Sequence, residues 1–226
     1  YSTNPSKFLG PTRVVGRLPD LLGVSDASYL VSLLGTAAGH KTRNRADYQR
    51  YFSITAEAWK SSTSLSLTKL FGTSAYMAVS PPKGPKWTSG QLSPRIHFIN
   101  CHGAQSDPNF YGQRGDSYPV AHSAKRIVKK IMNGTVVAVE CCYGAELYDP
   151  MDSDMQVPIC STYLGDGAYG YFGSSTVAYG PSEGNGQADL ICQYFIDEVM
   201  NGASLGEAVL RARHRFASTY THLDPT

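Results

Sequence analysis

Two apolar runs and the residues that follow them decide the fold. Arg95-Ile96-His97-Phe98-Ile99-Asn100 leads into Cys101-His102-Gly103, and Thr135-Val136-Val137-Ala138-Val139 leads into Glu140-Cys141-Cys142-Tyr143-Gly144-Ala145. The second run is continuous and largely β-branched, the pattern of a central parallel strand covered on both faces. The first reads as another strand by its alternation. Working outward, Thr12 to Gly16, Tyr51 to Ile54, Ala75 to Val79 and Ala168 to Val177 also read as strands. Helical patterns fall between and after them. The first carries Tyr29, Leu30, Leu33, Leu34 and Ala37 behind a Ser25 or Asp26 cap and stops at Gly39. Others cover Ala56 to Leu70 and the Ala121, Ala124, Ile127, Val128, Ile131 face, whose Lys125, Arg126, Lys129 and Lys130 form a solvated opposite side. Two more run over Asp189 to Met200 and from Ser204, where Ser204 and Glu207 suit a capping box. Ser80 to Pro94, rich in Pro and Gly, is expected to be an irregular surface connection.

Strands alternating with helices predict an α/β fold, a mostly parallel central sheet with helices on both faces. In such sheets the reactive groups sit beyond the carboxyl ends of the strands, so His102 and Cys142 are expected to be neighbours. One domain over residues 1–226 accounts for the pattern; a small N-terminal subdomain over 1–80 with a catalytic subdomain over 81–226 is the alternative division.

Composition removes several function classes. The chain has 226 residues, 42% hydrophobic and 17% charged, with 20 basic against 18 acidic residues. A net charge of +2 argues for no nucleic acid, anionic membrane or polyanion partner. The apolar runs fall far short of the roughly 20 residues that span a bilayer, so no membrane span is expected and the chain reads as soluble. It begins at Tyr1 without an initiator Met or a charged-then-apolar leader, and is expected to be a processed form or a piece of a longer chain. Five cysteines, an odd number, predict at least one free thiol.

A Cys and a His on the ends of adjacent parallel strands are the arrangement of a cysteine hydrolase. Cys142 is the candidate nucleophile and His102 the acid that protonates the leaving amine. Gly103, lacking a Cβ, lets its N–H approach a developing oxyanion, with the Cys142 N–H as second donor. Gly144 allows the turn that exposes the sulfur. Neighbouring residues on a strand face opposite ways, so only one of Cys141 and Cys142 can face His102. Cys101 is expected to point into the core beside Cys160 and Cys192. A zinc site is not expected, because adjacent ligands chelate one tetrahedral ion poorly and no C-x-x-C spacing occurs. No cofactor is called for. His97, His40, His122, His214 and His222 have no partner motif, and Trp59 and Trp87 read as packing residues.

His102-Gly103 after one apolar strand and Glu140-Cys141-Cys142-Tyr143-Gly144-Ala145 after another resemble the clan of cysteine peptidases that contains caspases, legumain, clostripain and gingipains. The closer resemblance is to the gingipain-like branch, through Val15-Gly16-Arg17-Leu18-Pro19, Phe110-Tyr111-Gly112-Gln113 and Gly173-Ser174-Ser175-Thr176-Val177-Ala178-Tyr179-Gly180, and it spans about Arg13 to Arg213. It implies a caspase-like three-layer α/β/α sandwich and a bacterial endopeptidase acting on protein or peptide substrates, cytoplasmic or secreted. It also puts Cys142 at the nucleophile position and Cys141 where the pattern has a small residue. Glu140, two residues before the nucleophile, would line the pocket for the residue preceding the scissile bond and favour Arg or Lys, although legumain-like enzymes with Glu here cut after Asn. Ser174, Ser175, Thr176 and Tyr179 would form the wall along which an extended substrate lies. Asp107, Glu146, Asp149, Asp152 and Asp154 flank the two strands and would add acidity. The alternative reading is a silent or zymogen-like domain that binds peptides without cutting them.

Overall fold

The computed structural model describes residues 12–219. Five strands pair in parallel in the order β2-β1-β3-β7-β8. They are β1 (Tyr51–Ala56), β2 (Met77–Ser80), β3 (Ile96–Asn100), β7 (Val136–Val139) and β8 (Gly170–Gly173). The three central strands β1, β3 and β7 are buried along their whole length, which is why they read as apolar runs rather than as alternation. The sheet draws strands from both sides of residue 80.

Strand alternation divides the core into two layers. On one face Ile54, Ile99, Val137 and Val139 pack with Ile127, Ile159 and Tyr163. These three come from α3 (Ala124–Ile127) and α4 (Ile159–Gly165). On the other, Tyr51, Ile96, Phe98, Val136 and Ala138 meet Leu67, Phe195, Ile196, Ala208 and Ala212. That layer is built from α2 (Lys60–Phe71), α5 (Gln187–Met200) and α6 (Leu205–Thr219). Each fully buried Ile or Phe contributes about 1.5–3 kcal/mol relative to exposure. Gly72 at φ 76 ends α2 in the left-handed region. Ser204 starts α6 by accepting the Glu207 N–H at 3.4 Å while its hydroxyl donates to the Glu207 carboxylate at 3.3 Å.

The remaining helix, α1 (Ser28–Ala38), follows its expected span and stops at Gly39, but buries only Leu33. Asp26 accepts both the N–H and the hydroxyl of Ser28.

Four expectations are corrected. Thr12 to Gly16 is not a strand: Val14 and Val15 are 53% and 65% exposed, and a short apolar run without a partner ladder specifies no sheet position. The 121–131 region is one strand and one helical turn rather than a long helix. β6 (Val120–Ser123) pairs antiparallel with β5 (Asn109–Tyr111), which pairs with β4 (His102–Gly103). The helix then breaks after Ile127, Lys129 turns left-handed at φ 60, and the Asp166 carboxylate collects the Lys130 and Ile131 N–H groups. The connection over 80–94 is not a surface loop throughout. Leu92 is fully buried, and Trp87 is buried with its indole N–H donating to the Ala121 carbonyl at 3.2 Å. Finally, β8 is shorter than the Ala168 to Val177 run because Ser174 and Thr176 leave the sheet, their carbonyls accepting from Ala145 and Tyr143.

Candidate active site

Parallel pairing of β3 with β7 aligns Ile99 with Val139, so the residues that leave the two strands emerge side by side. The alternation continues past both strand ends. Cys101 and Cys141 turn into the same apolar layer, where the Cys101 N–H donates to the Cys141 sulfur at 3.3 Å. Burial pushes both thiols up and out of the reactive range. Cys192 is raised likewise, and burial lifts Cys160 to about 11. Cys142 is the one cysteine of the five that is not buried.

Beyond Cys142 the chain turns sharply. Tyr143 has φ 52, its N–H donates to the Thr176 carbonyl at 2.7 Å, and a Cβ on Gly144 would lie 2.7 Å from the Val139 side chain. Gly103 is required on the opposite wall, where a Cβ would lie 2.0 Å from the Cys142 carbonyl oxygen. The two strand ends are thus in backbone contact, and the Cys142 N–H donates to no backbone carbonyl among the described residues.

His102 lies in β4 of the small antiparallel sheet, and its neighbours fix the ring. Gln113 donates its side-chain NH₂ to the Gly115 carbonyl and the Tyr118 hydroxyl, both at 3.2 Å, which leaves its amide oxygen to face His102 Nε2 at 2.7 Å. An acceptor at that distance assigns a proton to Nε2. The Trp59 ring lies against the imidazole at 4.4 Å between centroids and Tyr118 meets it edge-on at 5.1 Å. Trp59 therefore flanks His102 rather than serving the core, and Gln113 fixes the ring from its Nε2 side.

No hydrogen bond joins His102 to Cys142 among the described residues. The Cys142 thiol is instead bracketed by one residue, donating to the Ala178 carbonyl at 3.3 Å and accepting from the Ala178 N–H at 3.4 Å. Ala178 belongs to the segment that holds Ser174, Ser175, Thr176 and Tyr179. With Tyr143 and Ala145 bonded to Thr176 and Ser174, this segment forms a strap along the thiol loop. Ser175, Thr176 and Tyr179 are exposed on it.

Glu140 faces the other layer, beneath this strap. Its carboxyl is buried with neither oxygen accepting a hydrogen bond, beside Asp189 of α5. Burial, and then the Asp189 charge, raise Glu140 well above the ordinary carboxylate range. Burial beside the Asp189 carboxylate therefore favours the neutral form of Glu140. Asp189 also takes the Asn100 NH₂ at 3.3 Å and the Gly186 N–H at 3.4 Å, and its own acidity is weakened chiefly by burial. A Cβ on Gly180 would lie 3.5 Å from the Asp189 carboxylate, so the end of the strap roofs the acid pair.

Three of the five flanking acidic residues are tied down by hydrogen bonds, Glu146 to the other strand's loop and Asp107 and Asp149 within their own. Glu146 accepts the Ser106 N–H, Asp107 accepts from Asn109 and Tyr111, and Asp149 accepts the Met151 N–H. His97 and His122 are buried, joined through the Tyr163 hydroxyl at 2.9 and 2.8 Å. No group of three His, Cys, Asp or Glu placed to hold a metal ion occurs among the described residues, and no helix there is long and apolar enough to cross a membrane.

Sequence reasoning missed Gln113 as a positioning group, Trp59 as a ring neighbour of His102, and Asp189 as the partner of Glu140. Only Gln113 carried a signal, through its place shortly after His102-Gly103. No protein-family model matches this chain, and no curated protein matches it in sequence.

Proposed function

We propose that the chain is a cysteine endopeptidase of the caspase and gingipain kind, in a closed arrangement whose strap must lift before substrate enters. The observation that carries this reading is the placement of Cys142, partly exposed beyond the end of β7, against the backbone of His102-Gly103 beyond the end of the adjacent β3. Gln113 holds the imidazole by Nε2, leaving Nδ1 as the nitrogen that exchanges a proton with the reacting groups.

In the reaction the Cys142 sulfur, as thiolate, attacks the scissile carbonyl carbon and forms a C–S bond. The oxygen takes the negative charge and receives the N–H groups of Gly103 and Cys142. Protonated His102 gives its proton to the amide nitrogen as the C–N bond breaks, leaving an acyl-thioester. Water, deprotonated by His102, then attacks the thioester, the C–S bond breaks, and the acid product and the thiolate are released.

The acid pair supports the proposed preference for Arg or Lys before the scissile bond. Burial favours a neutral Glu140 beside Asp189, and an arriving ammonium or guanidinium would replace its proton without leaving an unpaired buried charge. An acidic substrate side chain has no such counterpart here. The second reading, a domain that binds peptides without cutting them, is favoured by the Ala178 bracket, which occupies both hydrogen-bonding capacities of the thiol.

The deciding experiment is intact-mass labelling with Arg-, Lys-, Asn- and Asp-type peptidyl thiol-reactive probes, on the wild type, Cys142→Ala, Cys141→Ala and His102→Ala. Single labelling by the Arg or Lys probe that only Cys142→Ala or His102→Ala abolishes supports the peptidase. Faster labelling by the Asp probe refutes the basic preference, and no labelling by any probe leaves either a zymogen awaiting activation or a binding domain.

A further inference from the structure

A cavity of about 580 Å³ opens at the opposite end of the sheet from Cys142, below the starts of β7 and β8. Its volume falls in the roughly 300–1,000 Å³ range of small-molecule sites. Leu33, Leu164, Val199 and Leu205 give it an apolar floor, and Tyr48 and Tyr169 contribute ring faces. Arg17, Lys41 and Arg43 line the same space, and no carboxylate does.

Arg43 is the informative side chain. Its guanidinium carbon lies 5.8 Å from the Tyr169 ring centroid, while Nε is buried with no hydrogen-bond partner. None of the three cations forms an ion pair with a described carboxylate. The last turns of α1, α4 and α5 reach the cavity through Ala37, Leu164 and Val199. Each helix end carries only about half a negative charge, and its final carbonyls are already taken by N–H groups of the capping residues. A half-buried guanidinium over an apolar floor, with no carboxylate lining the space, favours an anion at its solvent-facing nitrogens.

We propose that this cavity binds a small amphipathic anion, an apolar chain or ring system ending in a carboxylate or phosphate. The head group pairs with Arg43 and Lys41, and the apolar body lies along Leu33, Leu164 and Leu205. The site is independent of the chemistry at Cys142 and stands or falls apart from it.

The test is calorimetric titration of the whole chain with decanoate, decyl phosphate, decanol and decyltrimethylammonium. Both anions are expected to bind at least roughly tenfold more tightly than decanol, and the cation more weakly still. A preference for one anion over the other identifies the head group. Arg43→Gln and Lys41→Gln are each expected to weaken anion binding by about tenfold, in line with one lost charge-assisted contact. Ala37→Trp, at an exposed position on the rim, is expected to remove binding of every probe while melting stays unchanged. The two single-charge variants guard against a fold defect in either one. No binding of either anion, equal binding of decanol and decanoate, or unchanged affinity in both charge variants overturns the proposal.

Discussion

Gly103→Ala separates the role proposed for the Gly103 backbone, an oxyanion wall, from that of the thiol. The added methyl would lie 2.0 Å from the Cys142 carbonyl oxygen and 3.4 Å from the Cys141 Cβ, and real Cβ contacts do not fall below 3.0 Å. Both obstructing groups belong to the β7 turn, so relief requires one backbone segment to move by about 1 Å. Overpacking of this kind costs about 1–3 kcal/mol, a drop of roughly 2–4 °C in Tm for each kcal/mol at this chain length. A 1 Å displacement of an oxyanion donor costs about 10²-fold in rate. The assay is the second-order labelling constant for an Arg-type peptidyl probe, read beside that for iodoacetamide, which needs no oxyanion site. Peptidyl labelling should fall about 10²-fold while iodoacetamide labelling changes little. Gly90→Ala is the control, since the nearest atom to its Cβ would be 3.9 Å away. A Gly103→Ala protein that melts and labels like the wild type would refute the reasoning.

Gln113→Ala removes the acceptor that orients His102 Nε2, and about a tenfold loss of peptidyl labelling is expected at nearly unchanged Tm, because the amide's other contacts are exposed. Ala178→Pro deletes the N–H that holds the Cys142 sulfur, so iodoacetamide should reach the thiol several-fold faster; slower labelling would show that the strap does not guard it. Acid unfolding reports the buried imidazoles. Burial lowers His97 to about 4, and burial with the neighbouring His97 lowers His122 to about 3, against 6.5 unfolded. Their contribution is complete above pH 6.5 and is lost as pH falls, about 2 kcal/mol for each ring by pH 5. Glu140, raised in the fold, acts with the opposite sign, stabilising at low pH and losing its contribution as pH rises above the unfolded value. Urea unfolding at pH 7 and pH 5 should therefore show a steeper acid loss in Glu140→Gln than in the wild type, and equal slopes would contradict the assignment.

The strands β1, β3 and β7 were legible because burial on both faces leaves an uninterrupted apolar run, and β7 ends where its β-branched residues end. The placement of His102 beside the Cys142 turn followed from parallel order alone. The β4-β5-β6 sheet was not legible, because strands of two to four residues are specified by their partners rather than by any period of their own. Val120 to Ser123 shows this, since its small and β-branched residues sit within a helical-looking spacing until Phe110 and His122 pair. The His97, His122 and Tyr163 network joins three elements far apart in sequence, and Asp189 meets Glu140 only after α5 docks. Contacts of this kind leave no local trace.

The acid pair also bears on strand alignment. Val136 to Val139 is apolar toward both layers, so sliding β7 by one residue would exchange valines for valines and alanine at little cost in side-chain burial. The same slip would turn Cys141 outward and Cys142 inward, exchanging one sulfur for the other. Glu140 forbids it. Moved across the sheet, its carboxyl would enter the apolar layer of Ile99, Ile159 and Tyr163, away from Asp189. A buried carboxyl thus acts as the key that favours a single frame, and the choice between two adjacent thiols follows from the residue before them.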